Sequence, residues 1–137
     1  KEEASPYSTQ IKMYYRYYGF LDEPQLALAY SLADIIISRA GSATLFEIAQ
    51  LGKPAVIIPI FRSPADHQHL NAFEFNLSGG YLIEEPDFNK DILVHTIENL
   101  LNPELYVRIS DKIRTFATPD AADKIASEIL NYGLNRS

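Results

Sequence analysis

Ile35-Ile36-Ile37-Ser38-Arg39-Ala40-Gly41-Ser42-Ala43-Thr44-Leu45-Phe46-Glu47 is the stretch on which the fold turns. Branched apolar residues favour an extended strand inside a sheet. The small residues that follow break the run and open a helical pattern reaching Leu51. Strand, tight turn and helix start in that order aim backbone N–H groups and the positive end of a helix dipole at one point. Such a point suits a phosphate or diphosphate. Gly41 is expected to take positive φ and to let a ligand approach the backbone closely. Ser42 and Thr44 offer hydroxyls, and the amides of Ser42, Ala43, Thr44 and Leu45 are expected to be free donors of the first turn. Glu47, one turn further in, can accept hydrogen bonds from a diol such as a ribose. The same residues carry a plainer reading: Thr44-x-x-Glu47 is also a capping box, which satisfies a helix end with no ligand. The loop lacks the spacing of a Walker or dinucleotide-binding motif.

Working outwards, residues 1–10 are polar and contain Pro6, a loose opening segment. Tyrosine-rich 11–18 reads as a strand closed by Gly19, and Leu26, Ala29, Tyr30 and Ala33 mark a helix from Glu23. The second strand is 34–38 and its helix 42–51, which Gly52-Lys53-Pro54 ends with glycine just past the terminus and proline after it. Apolar 55–60 predicts a strand buried on both faces, hence parallel. A turn at 62–66 leads to a helix over 67–77, a short strand over 81–83, and helices over 89–101, 103–116 and 121–132. This alternation predicts an α/β fold, an open parallel sheet with helices on both faces and right-handed crossovers. Residues 11–137 form one domain in this reading. Ligands of such sheets settle at the carboxyl ends of the strands, where the loops 19–23, 39–44 and 61–68 fall.

The chain has 137 residues, 47% apolar and 22% charged, enough for a real core in a soluble protein. A net charge of -6 argues against a nucleic-acid partner, because neutralising phosphates needs a basic face. With no cysteine, disulfides and thiolate-held metals are excluded. No apolar run reaches the roughly 18 residues of a membrane span. The first residue is Lys1 rather than methionine, and the expectation is a piece of a longer protein.

A second constellation lies in Pro59-Ile60-Phe61-Arg62-Ser63-Pro64-Ala65-Asp66-His67-Gln68-His69-Leu70-Asn71-Ala72. Amide and imidazole groups both donate and accept, so polar side chains at a strand-to-helix junction suit sugar hydroxyls. Alternatively, Ser63 or Asp66 caps the helix and the histidines are solvated. A metal at His67 and His69 is disfavoured, because positions i and i+2 diverge on a helix and His95 is distant in sequence. A third feature, Gly19-Phe20-Leu21-Asp22, could sandwich a nucleobase or pack as a plug under the helix that follows.

Together, Phe20-Leu21-Asp22, the run Ala33 to Gly41, Thr44, Glu47, Gly52-Lys53-Pro54-Ala55, Pro59, Asp66-His67-Gln68 and Asn71-Ala72 resemble the C-terminal half of the MurG family. These are GT-B glycosyltransferases that move N-acetylglucosamine from UDP onto lipid I in peptidoglycan synthesis. The similarity covers roughly residues 14–130. It implies a Rossmann-like donor half, with UDP-GlcNAc as donor substrate, no cofactor and no metal. Phe20 and Leu21 match the loop that receives the uracil. Arg39, Gly41, Ser42, Ala43, Thr44 and Leu45 match the turn and helix start facing the diphosphate. Glu47 matches the carboxylate on the ribose hydroxyls. Asp66, Gln68, His69 and Asn71 match the sugar end, where the family has paired glutamines and this chain has Gln68-His69.

The resemblance further implies an inverting transfer. A glycine-rich phosphate loop and an N-terminal domain that binds the lipid-linked acceptor and supplies the base lie outside this stretch. The chain alone is thus expected not to catalyse transfer. The parent enzyme is expected in the cytoplasm, peripheral on the inner face of the plasma membrane. Alternatives are the donor-binding subunit of a two-chain GT-B transferase, part of a glycolipid synthase, or a non-catalytic UDP-sugar-binding module.

Overall fold

The computed structural model describes residues 14–62 and 66–134. The chain divides into two compact units, Lys1–Leu32 and Ala33–Ser137. The segment 1–10, the first three residues of the expected first strand (11–13), and Ser63 lie outside the described residues.

In the first unit, residues 15–18 are not in a strand. Tyr14, Tyr15, Tyr17 and Tyr18 are exposed there, so the β-propensity of tyrosine has no buried face to act on. Helix α1 is Glu23–Leu32. Asp22 starts it with a reciprocal cap: its Oδ1 accepts from the Gln25 N–H at 3.0 Å, and Gln25 Oε1 accepts from the Asp22 N–H at 3.1 Å. Two donors of the helix start are thereby satisfied.

The second unit carries the sheet. Strands β1 (Ile36–Ser38), β2 (Ala55–Ile57) and β3 (Tyr81–Leu82) are parallel, in the order β1-β2-β3. Ile36 faces Ala55, and Val56 faces Tyr81. Each strand is shorter than the stretch predicted for it, 34–38, 55–60 and 81–83. Ile58 and Ile83, the first residues past β2 and β3, still donate to the Ser38 and Ile57 carbonyls at 2.9 and 3.0 Å. Helix α2 (Ser42–Leu51) joins β1 to β2, and α3 (His67–Leu77) joins β2 to β3, both with the predicted bounds. Both crossovers step the same way across the sheet, so the right-handed rule puts α2 and α3 on one face. A short 3₁₀ turn at Glu85–Asp87, which periodicity did not reveal, leads to α4 (Lys90–Leu100), α5 (Pro103–Arg114) and α6 (Ala121–Leu134).

The core follows from spacing. Leu45, Ile48 and Ala49 of α2 are fully buried, as are Val56 of β2 and Ala72 and Phe75 of α3. Leu100 of α4 and Ile113 of α5 complete it. The Phe116 ring stands edge-on to Phe75 at 5.2 Å and tilted to Phe46 at 5.0 Å. In β1, Ile36 is buried but Ile37 is 47% exposed, so this strand is not covered on both sides as the central β2 is.

The rear of α2 is closed by Gly52, left-handed at φ 62°. Any Cβ there would land on the Arg114 guanidinium. The Ser110 hydroxyl donates to the Gly52 carbonyl at 2.6 Å, and Lys53 Nζ donates to the Ala33 carbonyl at 2.7 Å.

Candidate functional site: the carboxyl edge of the sheet

The loops that follow the three strands meet at one edge. At the tip of β1, Gly41 is the N-cap of α2 with φ -68° and ψ 128°. The positive φ expected of it is absent, because extended backbone already carries the chain into the helix. A Cβ at this position would meet nothing nearer than Thr44 Oγ1 at 3.8 Å. Neither backbone conformation nor the chain's own packing calls for glycine here. The space in front of the turn is left open.

Among the described residues, no side chain caps α2. The helix begins at Ser42, which puts Thr44 at the third helical position rather than at the cap, so Thr44 and Glu47 do not form the capping box. The N–H groups of Ser42, Ala43 and Thr44 therefore have no acceptor within the helix. Leu45 differs from what was expected. Its N–H donates to the Gly41 carbonyl at 3.0 Å, closing the first helical bond, and its side chain is fully buried. Ser42, Ala43 and Glu47 are exposed, with Thr44 half-buried. Helical spacing puts Ala43, Thr44 and Glu47 on one face.

The second loop is tied to the first by side chains predicted to contact a ligand. Asn71 Nδ2 donates to the Ala40 carbonyl at 3.1 Å, holding the residue before the turn. Gln68 Oε1 accepts from the Ile60 N–H at 3.1 Å. Asp66 starts α3 in the left-handed region, φ 56°, and makes no side-chain cap bond. Arg62 is left-handed too, at φ 61°, and its guanidinium lies 5.1 Å from the centre of the Phe61 ring. Non-glycine residues in that region cost about 1–3 kcal/mol each. Such strain concentrates where a loop is held for a purpose.

Arg39 makes the densest set of contacts. Its Nη1 donates to the Ile58 and Pro59 carbonyls at 3.1 and 3.2 Å, and its Nη2 meets Glu85 Oε1 at 2.7 Å. The other oxygen of Glu85 accepts from the Phe61 N–H at 2.7 Å. That backbone bond first, and the Arg39 guanidinium second, hold the Glu85 carboxyl below its ordinary value of 4.5. Glu84, its neighbour, pairs with His69 Nε2 at 3.0 Å. A cavity of about 300 Å³ borders this group, lined by Ile37, Ser38, Arg39, Ile58, Glu85 and Phe88.

Arg39, Gly41, Gln68, His69 and Asn71 are thus brought to one edge. Phe20 and Leu21 belong to the first unit, where Phe20 is 84% exposed and Leu21 half-buried. Sequence reasoning missed Glu84 and Glu85. The available signal was their place directly after the third strand, the counterpart of Arg39 after the first. Among the described residues, no three His, Asp or Glu side chains cluster as metal ligands, and no helix is long and apolar enough to cross a membrane.

Comparison with known proteins gives the family and the fold. Residues 1–125 match the profile of the glycosyltransferase family 28 C-terminal domain. A relative from Serratia proteamaculans is named UDP-N-acetylglucosamine–N-acetylmuramyl-(pentapeptide) pyrophosphoryl-undecaprenol N-acetylglucosamine transferase. It is 34% identical over 112 residues, which are 81% of this chain and 30% of the relative. The protein of that name from Erwinia tasmaniensis is 31% identical over 129 residues, 93% of this chain and 36% of its own. The crystal structure of Acinetobacter baumannii MurG, a GT-B glycosyltransferase, matches with a TM-score of 0.71 at 30% identity, covering 82% of this chain and 33% of that one. The chain spans about a third of the length of these proteins. By sequence profile and by fold, it belongs to the glycosyltransferase family 28 C-terminal domain family.

Proposed function

We propose that this chain is the donor-binding part of a glycosyltransferase that adds N-acetylglucosamine to a lipid-linked peptidoglycan precursor. The diphosphate of UDP-GlcNAc sits at the start of α2, against the N–H groups of Ser42, Ala43 and Thr44. Glu47 holds the ribose hydroxyls from the same helix face. Asp66, Gln68, His69 and Asn71 stand at the sugar end. The reading rests above all on α2 starting at a glycine that the fold does not need, with no side chain to satisfy its N–H groups. The family membership and the names of the relatives supply the donor.

When the glycosidic bond breaks, negative charge grows on the UDP leaving group. Oriented N–H groups and the α2 dipole stabilise it without reorganising. The acceptor proton is taken by a group outside this chain, in an acceptor-binding domain of a longer protein, working on the cytoplasmic face of the membrane. Apart from that domain the chain binds donor but does not transfer sugar.

Calorimetric titration of the intact protein with UDP and with UDP-GlcNAc tests the reading. Saturable binding of both, weakened by Glu47→Ala, is expected. Absence of UDP binding by the intact protein overturns it.

A further inference from the structure

We propose that Glu85 is a positioning residue that sets the sugar end of the donor site, acting through Arg39 and the backbone of Phe61. The inference rests on the donor-site reading above and names a residue that acts without touching the donor. Its basis is the division of labour between the two oxygens of Glu85. One takes the Arg39 guanidinium at 2.7 Å, the other the Phe61 N–H at 2.7 Å. Arg39 in turn grips the Ile58 and Pro59 carbonyls. One carboxylate and one guanidinium thus join the segments that follow all three strands.

The segment 58–61 depends on this clamp more than its neighbours do. Phe61 directly precedes Arg62, which is held in the left-handed region with Asp66 beyond it. A strained stretch needs an anchor on its near side. The Glu85 bond to Phe61 supplies one, and Gln68 binds the Ile60 N–H next to it. A shift of 60–61 is therefore felt at Gln68 in the first turn of α3. The start of α2 is held independently. The buried side chains of Leu45 and Ile48 fix the helix against the core. Loss of the clamp should disturb the sugar end and spare the diphosphate end.

Glu85→Gln is the discriminating variant. Its amide keeps size and one acceptor but turns a donor towards either Arg39 or the Phe61 N–H. The side chain is 36% exposed, so the fold tolerates the change. Both ligands are titrated into the intact protein that carries this chain, and thermal unfolding is recorded alongside. UDP affinity is expected to stay within about twofold, while the ratio of UDP-GlcNAc to UDP affinity falls about tenfold, as small misplacements of binding groups commonly cause. Glu85→Asp keeps the charge on a shorter arm and should recover part of the ratio. An unchanged ratio in Glu85→Gln, or an equal loss for both ligands, overturns the inference while leaving the donor site in place. A wild-type protein that binds no UDP overturns the donor-site reading and this inference together.

Discussion

At the start of α5, Asn102 folds its side chain back to accept from the Glu104 and Leu105 N–H groups at 3.1 and 3.2 Å. At the start of α4, Asn89 does the same for Ile92 at 3.0 Å, and α1 has its reciprocal Asp22–Gln25 pair. The starts of α2 and α3 have no such bond. The sealed starts of α1, α4 and α5 belong to helices outside the strand crossovers; the two crossover helices, whose first turns lie at the carboxyl edge of the sheet, start without such a bond. A side-chain cap is worth about 1 kcal/mol. Forgoing it at both crossover helices leaves their first-turn N–H groups without a bond from the cap residue.

The sharpest way to break this contrast is to seal α2. Gly41→Asp places a capping carboxylate at an N-cap whose extended backbone already suits it. Stability should rise by a few tenths of a kcal/mol, since aspartate is only slightly better than glycine there. The same charge stands where the diphosphate is proposed to sit, and like charges at that range cost on the order of 2–4 kcal/mol at a protein surface. UDP affinity should fall at least tenfold in calorimetry while the melting temperature rises slightly. Equal UDP affinity in the two proteins would show that the open helix start serves no anion.

Glu47→Ala comes next. It should weaken UDP binding by about 1–3 kcal/mol through lost charge-assisted hydrogen bonds. Stability should hardly change at this exposed mid-helix position, and paired calorimetry and thermal melts would show the separation. The reverse pattern is expected at a sealed start. Asn102→Ala should cost about 1 kcal/mol of folding stability in urea unfolding and leave UDP affinity alone.

The smallest effect is electrostatic. Bonding to Phe61 and Arg39 lowers the folded value of Glu85 below 4.5, so its contribution to stability is fully present above that pH. It is lost as pH falls through the lowered folded value. The melting-temperature gap between wild type and Glu85→Gln should therefore be small but measurable at neutral pH and close in acid. A gap that widens in acid would mean that the clamp has been assigned the wrong sign.

Much of this architecture is legible in the residues. The bounds of α2 and α3 are marked by small residues at their starts and by Gly52 and Ser78-Gly79-Gly80 at their ends, punctuation that acts locally. Strand lengths are less legible. Apolar character continues through Ile58, Pro59 and Ile60, but the ladder stops where the Ile58 and Pro59 carbonyls are taken by Arg39 and the Ile60 N–H by Gln68, and composition does not register such partners. The tyrosines before Gly19 show the same limit, since propensity without a buried face makes no strand. The Thr44–Glu47 pattern matched a capping box because spacing cannot say where a helix begins. A one-turn shift of the start turns a cap into an interior residue. Glu84 and Glu85 escaped notice because their partners are distant in sequence, with Arg39 46 residues away.

The clasp behind α2 has a consequence for energetics at its other end. Ser110 of α5 bonds the Gly52 carbonyl, the Arg114 side chain lies against that glycine, and the rings of Phe46, Phe75 and Phe116 wedge the helix sideways. A dipole bolted at the rear cannot slide or tilt to follow a charge placed at its front. Its orientation is settled once, when the chain folds, and any anion that arrives meets a field already in place.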